Sequence, residues 1–192
     1  MNNAQLNEKQ NTANVWLELR TSRLLENLKV IREIAGTKNE VLAVIKANAY
    51  GHGLQQVAKA LDGHVLYLGV SSIKEALELK ELNLKSQIFL FGRLFPEEIG
   101  AALFSSPSDP PAQPGQRQGV TLSVSSLGEA EDISKAAQSF KKTARIHIKI
   151  DSGMGRMGIP FDRALSDIEK ISQLPALDLD IDFVFLFLLI LK

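Results

Sequence analysis

Leu42-Ala43-Val44-Ile45-Lys46-Ala47-Asn48-Ala49-Tyr50-Gly51-His52-Gly53 joins an apolar run to a lysine and then to a turn of small residues. Leu42 to Ile45 is apolar and mostly branched, the composition of a parallel strand covered on both faces. Lys46 is the first residue able to leave the sheet, at the strand's C-terminal end, where α/β folds carry their chemistry. A lysine closing a strand can simply extend its ammonium into water. The residues after it argue for more. The alanines and glycines let backbone approach a ligand closely, and Tyr50 supplies a hydroxyl near the amine. The stretch therefore presents an amine where a carbonyl-bearing cofactor could reach it.

Outward from this point, strand-like runs alternate with amphipathic ones. A short extended segment around Val15 to Leu19 precedes a helix from Thr21 or Ser22 to Ala35, with Leu24, Leu25, Leu28, Ile31 and Ile34 on one side and Gly36 as its stop. After the Leu42–Lys46 strand come a helix from Leu54 to Leu61, a strand from Val65 to Val70, and a helix opened by a capping box at Ser72 and Glu75. Gln87 to Phe91 reads as a strand, and Pro96 suits the first position of a helix over Glu97 to Phe104. Val120 to Val124, a second capping box at Ser126 and Glu129, a strand from Ala144 to Ile150, a helix from Phe161 to Gln173 and a last strand near Leu177 to Ile181 continue the rhythm. Such alternation means repeated βα units around a mainly parallel sheet. The proline-rich stretch 105–119 cannot continue a helix or strand. Because the βα rhythm resumes beyond it, it reads as a surface loop inserted in one domain.

The second informative segment is Lys149-Ile150-Asp151-Ser152-Gly153-Met154-Gly155-Arg156-Met157-Gly158. In the strand before it, Arg145, His147 and Lys149 share one face and Ile146, Ile148 and Ile150 the other, as a period of two requires. A basic stripe on such a strand needs anionic company or water, because an isolated ammonium in a packed interior is prohibitively costly. The glycines at 153, 155 and 158 permit a tight loop that brings Arg156 back to the strand's C-terminal end. On the residues alone, the segment could also be an ordinary strand-loop-helix turn in which Asp151 pairs a neighbouring cation.

Composition excludes several other classes. Lysine plus arginine equals aspartate plus glutamate at 22 each, so no global field favours nucleic acid or an anionic membrane, and a small ligand is the better expectation. With no cysteine there is no disulfide framework, thiolate metal site or thiol nucleophile, which suits the cytoplasm. The polar stretch 1–14 has no secretory apolar core and reads as a disordered leader. His52, His64 and His147 are scattered without a carboxylate cluster, so no metal site is expected; His52 reads as loop architecture and His147 as a hydrogen-bonded barrel residue.

The run from Val44 to Gly53 resembles the pyridoxal-phosphate lysine motif of alanine racemases, and Lys149 to Arg156 resembles their Lys-x-Asp-(Ser or Thr)-Gly-Met-Gly-Arg signature. The resemblance extends from about Val15 to Asp180. It implies a (β/α)8 TIM-type barrel, followed in the family by a separate C-terminal β domain, in an enzyme working as a homodimer. It implies interconversion of L- and D-alanine, which supplies D-alanine for cell-wall peptidoglycan, with pyridoxal 5'-phosphate as electron sink. By the same resemblance, Lys46 is the catalytic residue, bound to the cofactor as an imine and acting as base on one face of the substrate. Tyr50 lies near the cofactor phosphate, and Arg156 contacts both the cofactor's phenolic oxygen and the substrate. Lys149 matches a lysine carbamylated in many members, which would turn a buried ammonium into an anion able to hold Arg156. A non-catalytic pyridoxal-phosphate carrier, also a single barrel with a strand-end lysine, is the alternative from another class, and a remnant that binds nothing is a third; the Asn48–Gly53 string resembles racemases more closely.

The chain also departs from the family. A complete barrel takes about 250 residues, and only about six of its eight strands are expected here. After Asp180 the family's threonine-histidine-phenylalanine signature gives way to the apolar tail 183–192, too short for a membrane span of about 20 residues and prone to aggregate. The barrel is thus expected to be partial over 15–182, without the C-terminal domain that carries the opposing catalytic tyrosine. Incubated alone with pyridoxal phosphate, the 192-residue chain is expected to form D-alanine at no useful rate, since loss of one general base costs about 10²–10⁴-fold. Robust D-alanine formation that Lys46→Ala abolishes would contradict this.

Overall fold

Parallel neighbours cannot be joined by a hairpin, and here helices make the crossovers. A computed structural model describes residues 17–36, 38–103 and 119–179. The leader 1–14, most of the 105–119 loop, Asp180 and the apolar tail lie outside the described residues. Helix α1 (Thr21–Ala35) leads into β1 (Leu42–Val44), and α2 (Leu54–Leu61) connects it to β2 (Tyr67–Val70). Then follow α3 (Ile73–Lys80), β3 (Gln87–Leu90), α4 (Pro96–Leu103), β4 (Val120–Val124), α5 (Leu127–Ser139) and β5 (Ala144–Ile148). A two-stranded ribbon of β6 (Ile150–Asp151) and β7 (Ile159–Pro160), helix α6 (Ala164–Ser172) and β8 (Leu177–Leu179) complete the order. The main sheet has six strands in the order β1-β2-β3-β4-β5-β8, every pair parallel. It is a partial, open (β/α) barrel. Among the described residues no helix is long and apolar enough to cross a membrane.

The pleat sorts side chains into two layers. Leu68, Val70, Ile88, Leu90, Leu122, Val124 and Ile146 pack with helix residues such as Ala58, Ala76, Leu79, Ile99, Ala130 and Ile133 in the apolar core. The alternate positions make a different layer. Tyr67, Phe89 and His147 are buried and meet edge to face, Phe89 and His147 with ring centroids 5.0 Å apart. Arg145, one step earlier on β5, pairs with Asp178 at 3.3 Å and reaches Gln87 at 3.5 Å. The basic stripe read from the sequence thus has its companions at one end in a carboxylate and in the middle in aromatic rings.

Both capping boxes form. Ser72 Oγ accepts the Glu75 amide at 3.3 Å and Ser126 Oγ the Glu129 amide at 3.2 Å. Two expectations change. The 144–150 run is not one strand: Lys149 separates β5 from β6, which pairs with β7. The Leu42–Ile45 run is not covered on both faces either; Val44 is 39% exposed, because β1 is an edge strand of the described sheet.

Leu68 sits in the core with no solvent exposure. Leu68→Ala is expected to lower the free energy of unfolding by about 2–5 kcal/mol in urea titration; a loss under about 0.5 kcal/mol would mean that this face is not packed as described.

Candidate active site

Lys46 follows directly on β1, and the chain there takes an unusual path. The Ile45 amide still donates to the Gly69 carbonyl at 2.8 Å, as a strand residue would. Ala47, Asn48 and Ala49 then adopt φ of 54, 55 and 51° with ψ of 51, 45 and 47°, and Tyr50 has φ of 53°. This is a left-handed helical turn built from residues with side chains, at a cost of roughly 1–2 kcal/mol for each. Local hydrogen bonds hold it: Ala49 donates to Ile45 O at 2.8 Å, Gly51 to Ala47 O at 3.2 Å and Gly53 to Asn48 O at 3.0 Å. Asn48 Oδ1 accepts the Leu54 amide at 2.7 Å and so caps α2. His52 Nδ1 lies 2.9 Å from Ala49 O, a loop role. Tyr50, at the far end of the turn, is 59% exposed.

Glu75 supports the same turn from outside. Its carboxylate accepts the Asn48 amide at 3.2 Å and the Ser71 amide at 3.2 Å. Burial raises its pKa, but hydrogen bonds from the Ser71 and Asn48 amides, the Ser72 hydroxyl and the Ala47 amide together outweigh burial and hold the carboxyl below its ordinary range. The sequence showed Glu75 only as half of a capping box. The signal that could have exposed its second role is position: the box opens just after β2, the strand paired with β1.

Lys149 lies across the sheet, immediately past β5. Its Nζ donates to the Phe91 carbonyl at 2.6 Å and sits 5.6 Å from the Phe91 ring centroid. Burial lowers its pKa from 10.5 to about 8; the positive charges of Arg156 and Lys46 push the same way, and Glu129 opposes them. Lys149 therefore feels both other cations singled out in the sequence. Glu129, whose charge opposes them, also pairs with Arg93 at 3.3 Å and accepts the Ser125 amide at 2.8 Å.

The 151–158 loop carries Arg156. Asp151 Oδ1 accepts the Gly155 amide at 3.0 Å and the Gly153 amide at 2.9 Å, and these bonds hold its carboxyl below the ordinary range. Asp151 is thus a loop anchor rather than the partner of a cation. Gly158 has φ of 125°, and a Cβ there would meet the Asp151 amide nitrogen at 2.6 Å, so glycine is required where the loop closes. The Ile159 amide donates to Lys149 O at 2.8 Å, which returns the loop to the end of β5. Arg156 itself is exposed.

Lys46 and Lys149 follow the C-terminal ends of the parallel strands β1 and β5, and the positive charges of Lys46 and Arg156 act on the half-buried Lys149 ammonium. Such a donor set fits an anionic aldehyde: guanidinium and ammonium groups for oxygen anions, and an amine for the carbonyl carbon.

The chain is similar to known proteins. The family model described as alanine racemase, N-terminal domain, matches residues 19–189. An alanine racemase of Desulforamulus reducens is 36% identical over 168 residues, covering 86% of this chain and 42% of that protein. One from Methanococcus maripaludis gives the same identity and the same shares. The solved alanine racemase of Clostridium difficile in complex with cycloserine superposes with a TM-score of 0.76 at 30% identity, covering 88% of this chain and 43% of that one. The chain spans about two fifths of the length of these curated relatives.

The Lys149 environment makes a pH prediction. A lysine whose pKa is depressed on folding binds fewer protons in the native state than unfolded, so stability rises with pH between about 8 and the ordinary lysine value of about 10.4. The penalty is fully present below about 8. Lys149→Met should remove that rise in denaturation curves measured across this window; identical pH slopes in the two proteins would contradict the assignment.

Proposed function

The chain belongs to the alanine racemase N-terminal domain family, and from that premise we propose that it is the cofactor-lysine portion of an enzyme interconverting L- and D-alanine with pyridoxal 5'-phosphate. The observation that carries this reading is that Lys46 and Lys149 follow the C-terminal ends of two strands of one parallel sheet, with the charges of Lys46 and Arg156 acting on Lys149. The Asn48–Gly53 string and the relatives' names favour a racemase over a cofactor carrier.

When bound, pyridoxal phosphate supplies an electron sink that makes the α-proton of an amino acid removable. Lys46 would hold the aldehyde carbon covalently through Nζ and, once displaced by substrate, take or return the α-proton on one face. Arg156 would bind the cofactor's phenolic oxygen and the substrate, with its reach set by the Asp151-anchored loop. Tyr50 would direct its hydroxyl toward the phosphate. Lys149, with a pKa of about 8, is partly neutral near physiological pH, and a neutral amine can add carbon dioxide to give a carbamate and a released proton. The resulting anion would relieve the cationic excess and hold Arg156. In this reading the partner is a small molecule, alanine, the working assembly is a homodimer in the cytoplasm, and D-alanine for peptidoglycan is the product.

Borohydride reduction of the chain after incubation with pyridoxal phosphate, followed by peptide mass mapping, is expected to leave the label on Lys46. Label on other lysines with Lys46 unmodified would overturn the proposal.

A further inference from the structure

We propose that Glu75 is a positioning residue for Lys46: its carboxylate clamps the left-handed turn after β1 and so fixes the direction in which the lysine amine leaves the sheet. The inference rests, for what Lys46 does, on the function proposed above; the clamp itself rests on geometry.

The two capping boxes provide an internal comparison. In both, the serine accepts the glutamate's own amide, and one carboxylate oxygen turns back to the residue before the serine. Glu129 Oε2 accepts the Ser125 amide at 2.8 Å, and Glu75 Oε2 the Ser71 amide at 3.2 Å. That oxygen completes the helix start. The remaining oxygen is free to act elsewhere, and the two boxes use it differently. Glu129 Oε1 pairs with the side chain of Arg93. Glu75 Oε1 instead receives the Asn48 amide at 3.2 Å, and the Ala47 amide also acts on this carboxylate.

Those two amides open the turn, and the first amides of a helical segment have no acceptor inside it. In a right-handed helix a side chain just ahead commonly fills that need; here Ile45 precedes the turn and has no polar group to offer. Glu75, on the neighbouring βα unit, supplies the acceptor and a full negative charge. Four residues in left-handed backbone need such outside support, because any relaxation toward ordinary backbone would swing Lys46, the residue at which the turn begins. The Glu75 carboxylate contacts the amides of Asn48 and Ser71 and the hydroxyls of Ser71 and Ser72, so its effect on Lys46 passes through this backbone.

Hydrogen exchange at single-residue resolution reads the clamp without any cofactor. Ala47 and Asn48 are both solvent-exposed, yet their amides are expected to be protected in the wild-type chain. Glu75→Gln keeps a residue that serves a capping box but removes the charge. It should speed exchange at Ala47 and Asn48 by about tenfold or more, and slow borohydride-trapped labelling of Lys46 by pyridoxal phosphate while labelling of other lysines is unchanged. Ser72→Ala, which removes the cap and leaves the Oε1 contact, should lower thermal stability and leave both readouts in place. Unprotected Ala47 and Asn48 amides in the wild type would overturn the clamp, a readout that needs no variant to fold. So would Glu75→Gln and Ser72→Ala changing exchange and labelling in proportion to lost stability. If Lys46 never takes label but Glu75→Gln still speeds exchange, the clamp stands and the cofactor-lysine reading falls.

Discussion

Like charges gathered at the edge of a low-dielectric sheet repel one another and lose hydration, and Lys149, acted on by Lys46 and Arg156, carries both costs. Burial is the largest influence on Lys149, the two other cations add to it, and Glu129 offsets only part. Such an arrangement persists because the parallel strands place their C-terminal ends side by side and because the groups bearing the charges are held by hydrogen bonds to and from the backbone. Lys149 is tied to the Phe91 carbonyl, and the Arg156 loop is tied to Asp151 through the amides of Gly153 and Gly155. A cationic excess held in this way is suited to an anionic ligand, since binding relieves what folding has imposed.

The backbone around Lys46 follows the same logic. The left-handed turn is costly, and its cost is met by contacts from outside its own residues as well as within: the Glu75 carboxylate at one end and the Asn48 side chain reaching forward to α2 at the other. Strain of this kind persists only where surrounding structure over-determines it, and it concentrates at sites that must present a group in one direction. Two glutamates that look equivalent in sequence, 75 and 129, thereby divide between holding backbone near one cation and balancing the charge of another.

Much of the fold was legible because its signals are local. Apolar runs marked β2 to β5, Ser72 with Glu75 and Ser126 with Glu129 marked helix starts, and the alternation at 144–149 separated a basic face from an aliphatic one. What was missed depends on tertiary context. Nothing in Ala47-Asn48-Ala49-Tyr50 signals four left-handed residues, because each type ordinarily avoids or only singly visits that region. The apolar Leu42–Ile45 run reports hydrophobicity and not sheet order, so the exposure of Val44 on an edge strand was invisible. A counter-ion role for Asp151 stayed open as an alternative because a carboxylate among cations invites it; the loop it anchors exists only once Gly153, Gly155 and Gly158 have taken positive φ. The motifs at Lys46 and Lys149 stood out readily.

The most direct test of the account is an NMR titration of the Lys149 side chain with and without saturating pyridoxal phosphate. If the three cations form one unit around an anionic ligand, binding adds negative charge nearby and the Lys149 pKa moves up from about 8. An unchanged titration, with binding demonstrated in the same sample, would contradict the claim that Lys149 belongs to the ligand's electrostatic environment.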